Sequence, residues 1–257
     1  MMPTALVTAG SAGLGAAAAL LFAKRGYNVV INYNSDGQRA DALVHDLHHA
    51  SSLDASKQKF KAIKADLASR DDIIRLVKET VAFFSEGPDG SSALDAVFSN
   101  GGWTRIRNIS DLEDNVDEDD WDRCFNMNVK SHLWLMHAAK PYLEEAEGAF
   151  VTTASLAGIK LSGSSLAYSV TKAAQVHLVK GLALAASPKV RVNTVCPGLL
   201  LTDWGKRFSP AHIESATQKT PLKRLATVED CALQVLCFVE SKSITGTAVV
   251  VDGGLFL

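Results

Sequence analysis

The chain has 257 residues, 47% hydrophobic and 21% charged, with a formal net charge of -2 at pH 7. That balance gives no electrostatic reason to bind nucleic acid or an anionic membrane, and it points to a small-molecule partner. The length fits one α/β domain over residues 1–257, without an internal repeat or a domain linker.

Short apolar runs alternate with longer helical patterns. Ala5 to Thr8 precedes a helical segment from Gly15 to Arg25; Val29 to Asn32 precedes Gln38 to Ala50; Phe60 to Ala65 precedes Arg70 to Phe84. Further strand-like runs are Leu94 to Asn100, Ala149 to Ser155, Lys189 to Val195 and Ala248 to Asp252, and a long apolar-periodic segment spans Leu166 to Ala186. Such strands, apolar throughout and separated by helices, predict a doubly wound, mostly parallel sheet of about seven strands covered on both faces. Gly26 suits a helix end, and Gly87-Pro88-Asp89-Gly90 reads as an exposed loop.

Side groups outside the motifs read blandly. Cys124, Cys196, Cys231 and Cys237 form no CxxC pair and read as reduced, buried thiols. The acidic stretch Asp111 to Asp122 reads as the solvated start of a helix near Asp119, and His45, His48 and His49 as a polar helix face; no metal is expected. With no apolar run near the roughly 18 residues of a membrane span and no leader-like opening, the expectation is a soluble, cytoplasmic protein.

The first strand and helix are joined by Thr8-Ala9-Gly10-Ser11-Ala12-Gly13-Leu14-Gly15. Its glycines permit close backbone approach and the helix amides face the turn, which suits a phosphate, although such a turn can also serve packing alone. If Ala9 needs positive φ, its methyl costs on the order of 1 kcal/mol; at negative φ it costs little. An acidic residue at the end of the second strand would select NAD, but Asn32-Tyr33-Asn34-Ser35 is neutral there, and Asn34 and Ser35 can bond phosphate oxygens.

Tyr168 and Lys172 lie four residues apart and share a helix face, where an ammonium favours a neighbouring phenolate and lowers its pKa. By spacing alone this is equally a surface pair.

These segments resemble short-chain dehydrogenases/reductases along essentially the whole chain. The first turn resembles their TGxxxGxG, with Ala9 at the first glycine; Asp66 and Leu67 resemble the adenine-contacting segment, and Ser99-Asn100-Gly101-Gly102 resembles NNAG. The second-strand end resembles that of NADPH-dependent fungal naphthol reductases, and ketoacyl reductases are similar too. Ser155, 13 residues before Tyr168, together with Asn128 completes an Asn-Ser-Tyr-Lys tetrad, while Pro197-Gly198 with Leu200 and Thr202 resembles the segment facing the nicotinamide.

The resemblance implies a Rossmann-like fold with a cofactor half of about 1–125 and a catalytic and lid half of about 126–257. It implies cofactor contacts at Thr8, Gly10, Ser11, Gly13, Leu14, Gly15, Asn32, Tyr33, Asn34, Ser35, Asp66 and Leu67, and again at Asn100, Gly101, Gly102, Tyr168, Lys172, Pro197, Gly198, Leu200 and Thr202. NADP(H) is favoured, with NAD(H) left open by Asp36. The implied roles are Ser155 on the reacting oxygen, Tyr168 exchanging its proton, Lys172 lowering the tyrosine pKa and holding ribose, and Asn128 supporting a water-mediated relay.

The lid from Leu199 to Lys219 brings Leu199, Leu200, Trp204 and Phe208 toward a substrate, with Trp103 and Leu156 as further walls. The expected substrate is a hydrophobic ketone or secondary alcohol of small to medium size, with Arg105 and Arg107 leaving a carboxylate open. A nucleotide-sensing regulator without turnover and a dehydratase or epimerase on the same scaffold are the alternatives. Relatives form dimers or tetramers, and the apolar terminus Leu255-Phe256-Leu257 suits a partner or the chain's own core.

Overall fold

The computed structural model describes residues 2–51, 53, 57–86 and 90–257, so of the loop expected at 87–90 only Gly90 falls within it. Seven parallel strands form one sheet in the order β3-β2-β1-β4-β5-β6-β7. In chain order the first part of the chain contributes β1 (Thr4–Val7), α1 (Gly13–Lys24), β2 (Asn28–Tyr33), α2 (Gly37–Ala50), β3 (Phe60–Lys64), α3 (Arg70–Ser85) and β4 (Ala96–Ser99). After it come α4 (Glu118–Phe125), α5 (Ser131–Ala146), β5 (Ala149–Thr153), α6 (Leu166–Ala186), β6 (Arg191–Pro197), α7 (Pro210–Lys219), α8 (Val228–Glu240) and β7 (Ala248–Val251).

The central strands are apolar on both faces because both are covered. On one face Val29, Ile31 and Phe98 pack with Phe22 of α1, Leu43 of α2 and Val235 of α8. On the other, Leu6, Val30 and Phe150 pack with Leu76 of α3, Leu135 of α5 and Val179 of α6. Short polar residues start the helices as their chemistry requires: Ser69 accepts from Asp72 N, Asp117 from Asp120 N, and Ser165 from Tyr168 N. Among the described residues no helix is long and apolar enough to cross a membrane. Cys124, Cys196 and Cys231 are buried, whereas Cys237, expected inside, is exposed on α8.

The strand order reverses between β1 and β4, opening a crevice at the carboxyl ends of the strands. The turn after β1 lies beside it. Ala9 takes φ 46°, its N–H donates to Asn32 Oδ1 at 3.1 Å, and its carbonyl accepts from Asn100 Nδ2 at 3.3 Å. A Cβ on Gly15 would stand 2.4 Å from that same carbonyl, so helix α1 can approach only with glycine there.

Asn32 therefore does not serve a ligand as its position in the sequence suggested. Its amide donates to the carbonyls of Tyr33 and Ala65, which ties β2, β3 and the turn together and leaves the side chain 1% exposed. Because Ala9 holds a left-handed backbone that glycine adopts freely, Ala9→Gly should raise stability by about 1 kcal/mol, measured as a higher urea midpoint at unchanged slope. A lower midpoint would show that the methyl is not strained.

Candidate active site

Strand β5 ends at Thr153, and Ser155 follows, accepting from Ala157 N at 3.1 Å to open the single turn Leu156–Gly158. The cap Ser165 starts α6 so that Tyr168 and Lys172 face the same crevice, with Lys172 Nζ 5.7 Å from the phenol ring centroid. Lys172 is buried and donates to Thr153 O at 2.7 Å and Gln175 Oε1 at 2.9 Å.

Burial pushes the Lys172 amine down to about 7. Desolvation likewise pushes the Tyr168 phenol up to about 12, although the neighbouring Ser155 hydroxyl favours its ionised form. The expected lowering of the phenol by lysine is thus reversed in the protein alone: the same loss of water disfavours both charges.

Asn128 sits in one π-helical turn, Asn126–Lys130, between α4 and α5, an irregularity that aims a helix side chain out of register. Its Oδ1 accepts from Trp103 N at 2.8 Å, and its Nδ2 donates to Trp103 O at 2.9 Å and Thr171 Oγ1 at 3.0 Å. Both amide hydrogens and one acceptor position are committed, so this side chain braces the strand-following loop.

A cavity of about 670 Å³ joins these groups. Gly13, Leu14, Asn100, Gly101 and Gly102 line it together with Pro197, Gly198, Leu200 and Thr202, and Ser155, Tyr168 and Lys172 open onto it. Leu156, Leu199, Trp204 and Phe208 form apolar walls, with the Trp204 ring 6.1 Å from that of Tyr168.

Thr8 and Gly10 sit behind the turn: Thr8 Oγ1 accepts from Asn100 N, and a Cβ on Gly10 would press on Ile31. Tyr33, Asn34, Ser35, Asp66 and Leu67 are not on the cavity wall, and neither is Ser11. Asp66 Oδ1 is taken by Ala68 N, and Leu67 is buried beneath Gly101.

Three expectations are corrected. Trp103 is no wall, since its ring carries the Arg123 guanidinium 4.6 Å from its centroid. Arg105 and Arg107 are not available to a substrate carboxylate: Arg105 pairs with Asp120 at 3.1 Å, and Arg107 with Asp114, Asp117 and Asp120 at 2.8 to 3.3 Å. The acidic stretch is for the same reason not simply solvated, because Asp120 is buried among these arginines.

Sequence reasoning missed Arg39, Lys160, His212 and Lys219, which also line the cavity. Arg39, in the first turn of α2, reaches Asp203 across the rim at 3.0 Å, and its place just after a neutral strand end was the available signal. His212 and Lys219 fall within the expected lid from Leu199 to Lys219 without having been singled out there, and nothing in the sequence marked Lys160.

The arrangement presents two hydroxyls and an amine to one cavity beside a glycine-rich turn. A family model described as Enoyl-(Acyl carrier protein) reductase matches residues 8–256. The chain belongs to the short-chain dehydrogenase/reductase family. This short-chain dehydrogenase/reductase is 31% identical over 261 residues to the 3-oxoacyl-(acyl-carrier-protein) reductase of Staphylococcus aureus, covering 100% of this chain and 99% of that one. A short-chain dehydrogenase from Burkholderia cenocepacia in complex with NADP superposes with a TM-score of 0.86 at 30% identity, covering 99% of this chain and 98% of that chain. A 7α-hydroxysteroid dehydrogenase complexed with NADH and 7-oxo glycochenodeoxycholic acid gives 0.86 at 25% identity, covering 98% and 93%. The protein is accordingly an oxidoreductase of the ketone and alcohol group.

The buried amine makes stability depend on pH. Unfolded, Lys172 keeps its proton up to the ordinary 10.5; folded, it releases it near 7. Between those values the unfolded chain holds more protons, so the contribution of Lys172 to stability rises with pH. Above 10.0 Tyr168 acts oppositely, since the folded phenol stays protonated to about 12. Urea unfolding at pH near 7 and near 9.5 should show this rise, flattened in Lys172→Met; an equal rise in that variant would assign it elsewhere.

Proposed function

We propose that the protein is an NADP(H)-dependent reductase or dehydrogenase that moves a hydride between nicotinamide and a ketone or secondary alcohol of small to medium, hydrophobic shape. The observation that carries the reading is the meeting of Ser155 and Tyr168 beneath the apolar walls Leu156, Leu199, Trp204 and Phe208, with Lys172 directly behind.

The residues present fit a dinucleotide. A Cβ on Gly13 would lie 2.9 Å from Thr202, and one on Gly102 would lie 3.2 Å from Asn128 Oδ1, so backbone alone forms the bed between the turn and the catalytic groups. Gly13, Leu14, Asn100, Gly102, Pro197, Gly198 and Thr202 would hold it, and Lys172 would meet its ribose. Bound there, the nicotinamide supplies or takes the hydride.

The chain's own groups manage the oxygen. Ser155 donates a hydrogen bond to the substrate carbonyl oxygen, and Tyr168 gives that oxygen its proton in reduction and removes it in oxidation. The Lys172 amine, when charged, offsets the negative charge left on Tyr168. The apolar walls would hold the carbonyl against the hydroxyls.

Three features favour NADP(H): the neutral Asn34 and Ser35, the cationic Arg39 on the cavity rim, and the NADP complex of the Burkholderia relative. The fold relative complexed with NADH keeps NAD(H) as the second reading.

A panel of ketones and secondary alcohols followed by NADPH and NADH absorbance tests the activity. Tyr168→Phe should lower kcat on a turned-over substrate by about 10²–10⁴-fold while the unfolding midpoint stays within about 1 kcal/mol; near-normal turnover would remove Tyr168 from the proton step. Arg39→Ala should weaken NADPH binding about tenfold and NADH binding little, read from nucleotide fluorescence, since only the 2′-phosphate gives the guanidinium a charged acceptor. Equal losses for both nucleotides would place Arg39 in the fold rather than in the choice of cofactor.

A further inference from the structure

Behind the catalytic groups a second set of polar side chains is sealed in the core. Ser99 ends β4, His132 lies on α5, and Gln175 lies one turn beyond Lys172 on α6. His132 and Gln175 are fully buried at 0% exposure, and Ser99 is at 2%. Buried polar groups of this kind persist only where each finds a partner, and here they partner one another in line. Ser99 Oγ stands 2.6 Å from His132 Nδ1, His132 Nε2 stands 3.0 Å from Gln175 Nε2, and Gln175 Oε1 receives Lys172 Nζ at 2.9 Å.

The donor inventory assigns the amide orientation of Gln175 and the tautomer of His132 in this line. Gln175 Oε1 faces an amine that donates, so its Nε2 carries the two hydrogens, one for Thr153 O at 3.1 Å and one for His132. The opposite amide orientation would set NH₂ against the Lys172 amine and a carbonyl against the Thr153 carbonyl. His132 Nε2 must therefore accept, which leaves its hydrogen on Nδ1 to be donated to Ser99 Oγ. A second proton on His132 would aim an N–H at the Gln175 NH₂.

The same bonds orient Lys172. Thr153 O and Gln175 Oε1 take two of the hydrogens of its ammonium from the sheet side. The third is left toward the cavity, where Gly102 places no side chain: a Cβ there would already stand 3.5 Å from Nζ.

We propose that Gln175 and His132 are positioning residues for Lys172, the histidine locking the glutamine amide so that its carbonyl faces the amine and holds Nζ toward the nucleotide and Tyr168. Serving a catalytic Lys172, this role rests on the reductase reading; the bonding pattern stands independently of it. The other titratable groups facing Lys172 are Tyr168 on α6, Cys124 on α4 and Cys196 on β6. Burial pushes both thiols up to about 11, so they remain neutral, and His132, pushed down to about 3 by burial and by Lys172, remains neutral as well. Gln175 is then the side-chain acceptor that sets the charge balance at Nζ.

The test titrates Lys172 itself, by the ¹³Cε shift in lysine-labelled protein, with the signal assigned through Lys172→Arg. Gln175→Met removes an acceptor from the ammonium and should lower the Lys172 pKa by about one unit. Gln175→Glu adds a carboxylate and should raise it by a similar amount. The order Met below Gln below Glu is expected, and a purely space-filling glutamine would not produce it; indistinguishable values overturn the proposal.

In the unsubstituted protein the imidazole ¹⁵N spectrum should show the neutral Nδ1–H tautomer of His132 unchanged from pH 8 to pH 5. An Nε2–H tautomer, or a titration near 6.5, overturns the lock. If a single variant does not fold, the pair His132→Leu with Gln175→Met removes both partners of their mutual contact, and it should still show the lowered Lys172 value. On a turned-over ketone, the alkaline limb of kcat/KM should move with the Lys172 titration across the series. A protein that reduces no carbonyl fails the reductase reading, while the lysine and histidine spectra still decide the network.

Discussion

The site is organised around one buried amine. Lys172 sits at 3% exposure where β4, β5 and β6 end, and a charge so placed is stable only if the protein supplies what water gave it. The strand end provides a carbonyl from Thr153, and the next turn of α6 provides Gln175 Oε1. These two bonds dictate much that surrounds them. Gln175 needs its own acceptors, so His132 must be neutral and correctly protonated, and Ser99 must accept behind it. A change of tautomer two side chains away would reach the amine through hydrogen-bond geometry.

The turn after β1 obeys a similar logic with backbone in place of charge. Its shape is set from outside by Asn32, which offers Oδ1 to Ala9 N, and by Asn100, which takes the Ala9 carbonyl. Asn100 Oδ1 in turn accepts from Thr153 Oγ1 at 2.8 Å, and Thr153 supplies the carbonyl under Lys172. The turn and the amine are therefore linked through two residues. The positive φ of Ala9 is held by these bonds against the cost of its methyl, as expected of strain over-determined by its neighbours.

Much of this was legible in the sequence, and the limits of legibility are physical. Strands buried on both faces announce themselves as unbroken apolar runs, and α6 appears in the sequence with the bounds Leu166–Ala186 that it has in the fold. The candidate catalytic residues were visible because their order and spacing along the chain resemble a family. What escaped depends on partners distant in sequence. Asn32 looked like a nucleotide contact because its position said so, whereas its bonds run to Ala9 and Ala65. Arg107 looked free because Asp120 lies a loop and a helix start away. Nothing in the sequence distinguishes a glutamine on the inner face of α6 from one on its surface, and the direction of the Tyr168 shift follows from burial, which spacing does not report.

The two ends of the cavity are built to different tolerances. Behind Lys172 the side chains of Gln175, His132 and Ser99 are bonded in line, so substitution there propagates along the bonded chain. Helix α7, which contributes His212, Ser215, Ala216 and Lys219 to the opposite wall, has no buried residue at all. Its place is held by the Ser209 cap at its start and by Thr220 at its end, where Thr220 Oγ1 donates to Thr217 O and Arg224 O. Side chains along its length face little that would resist replacement. The fold thus ties down the polar groups behind Lys172 and leaves another part of the cavity wall to a helix whose packing scarcely constrains it.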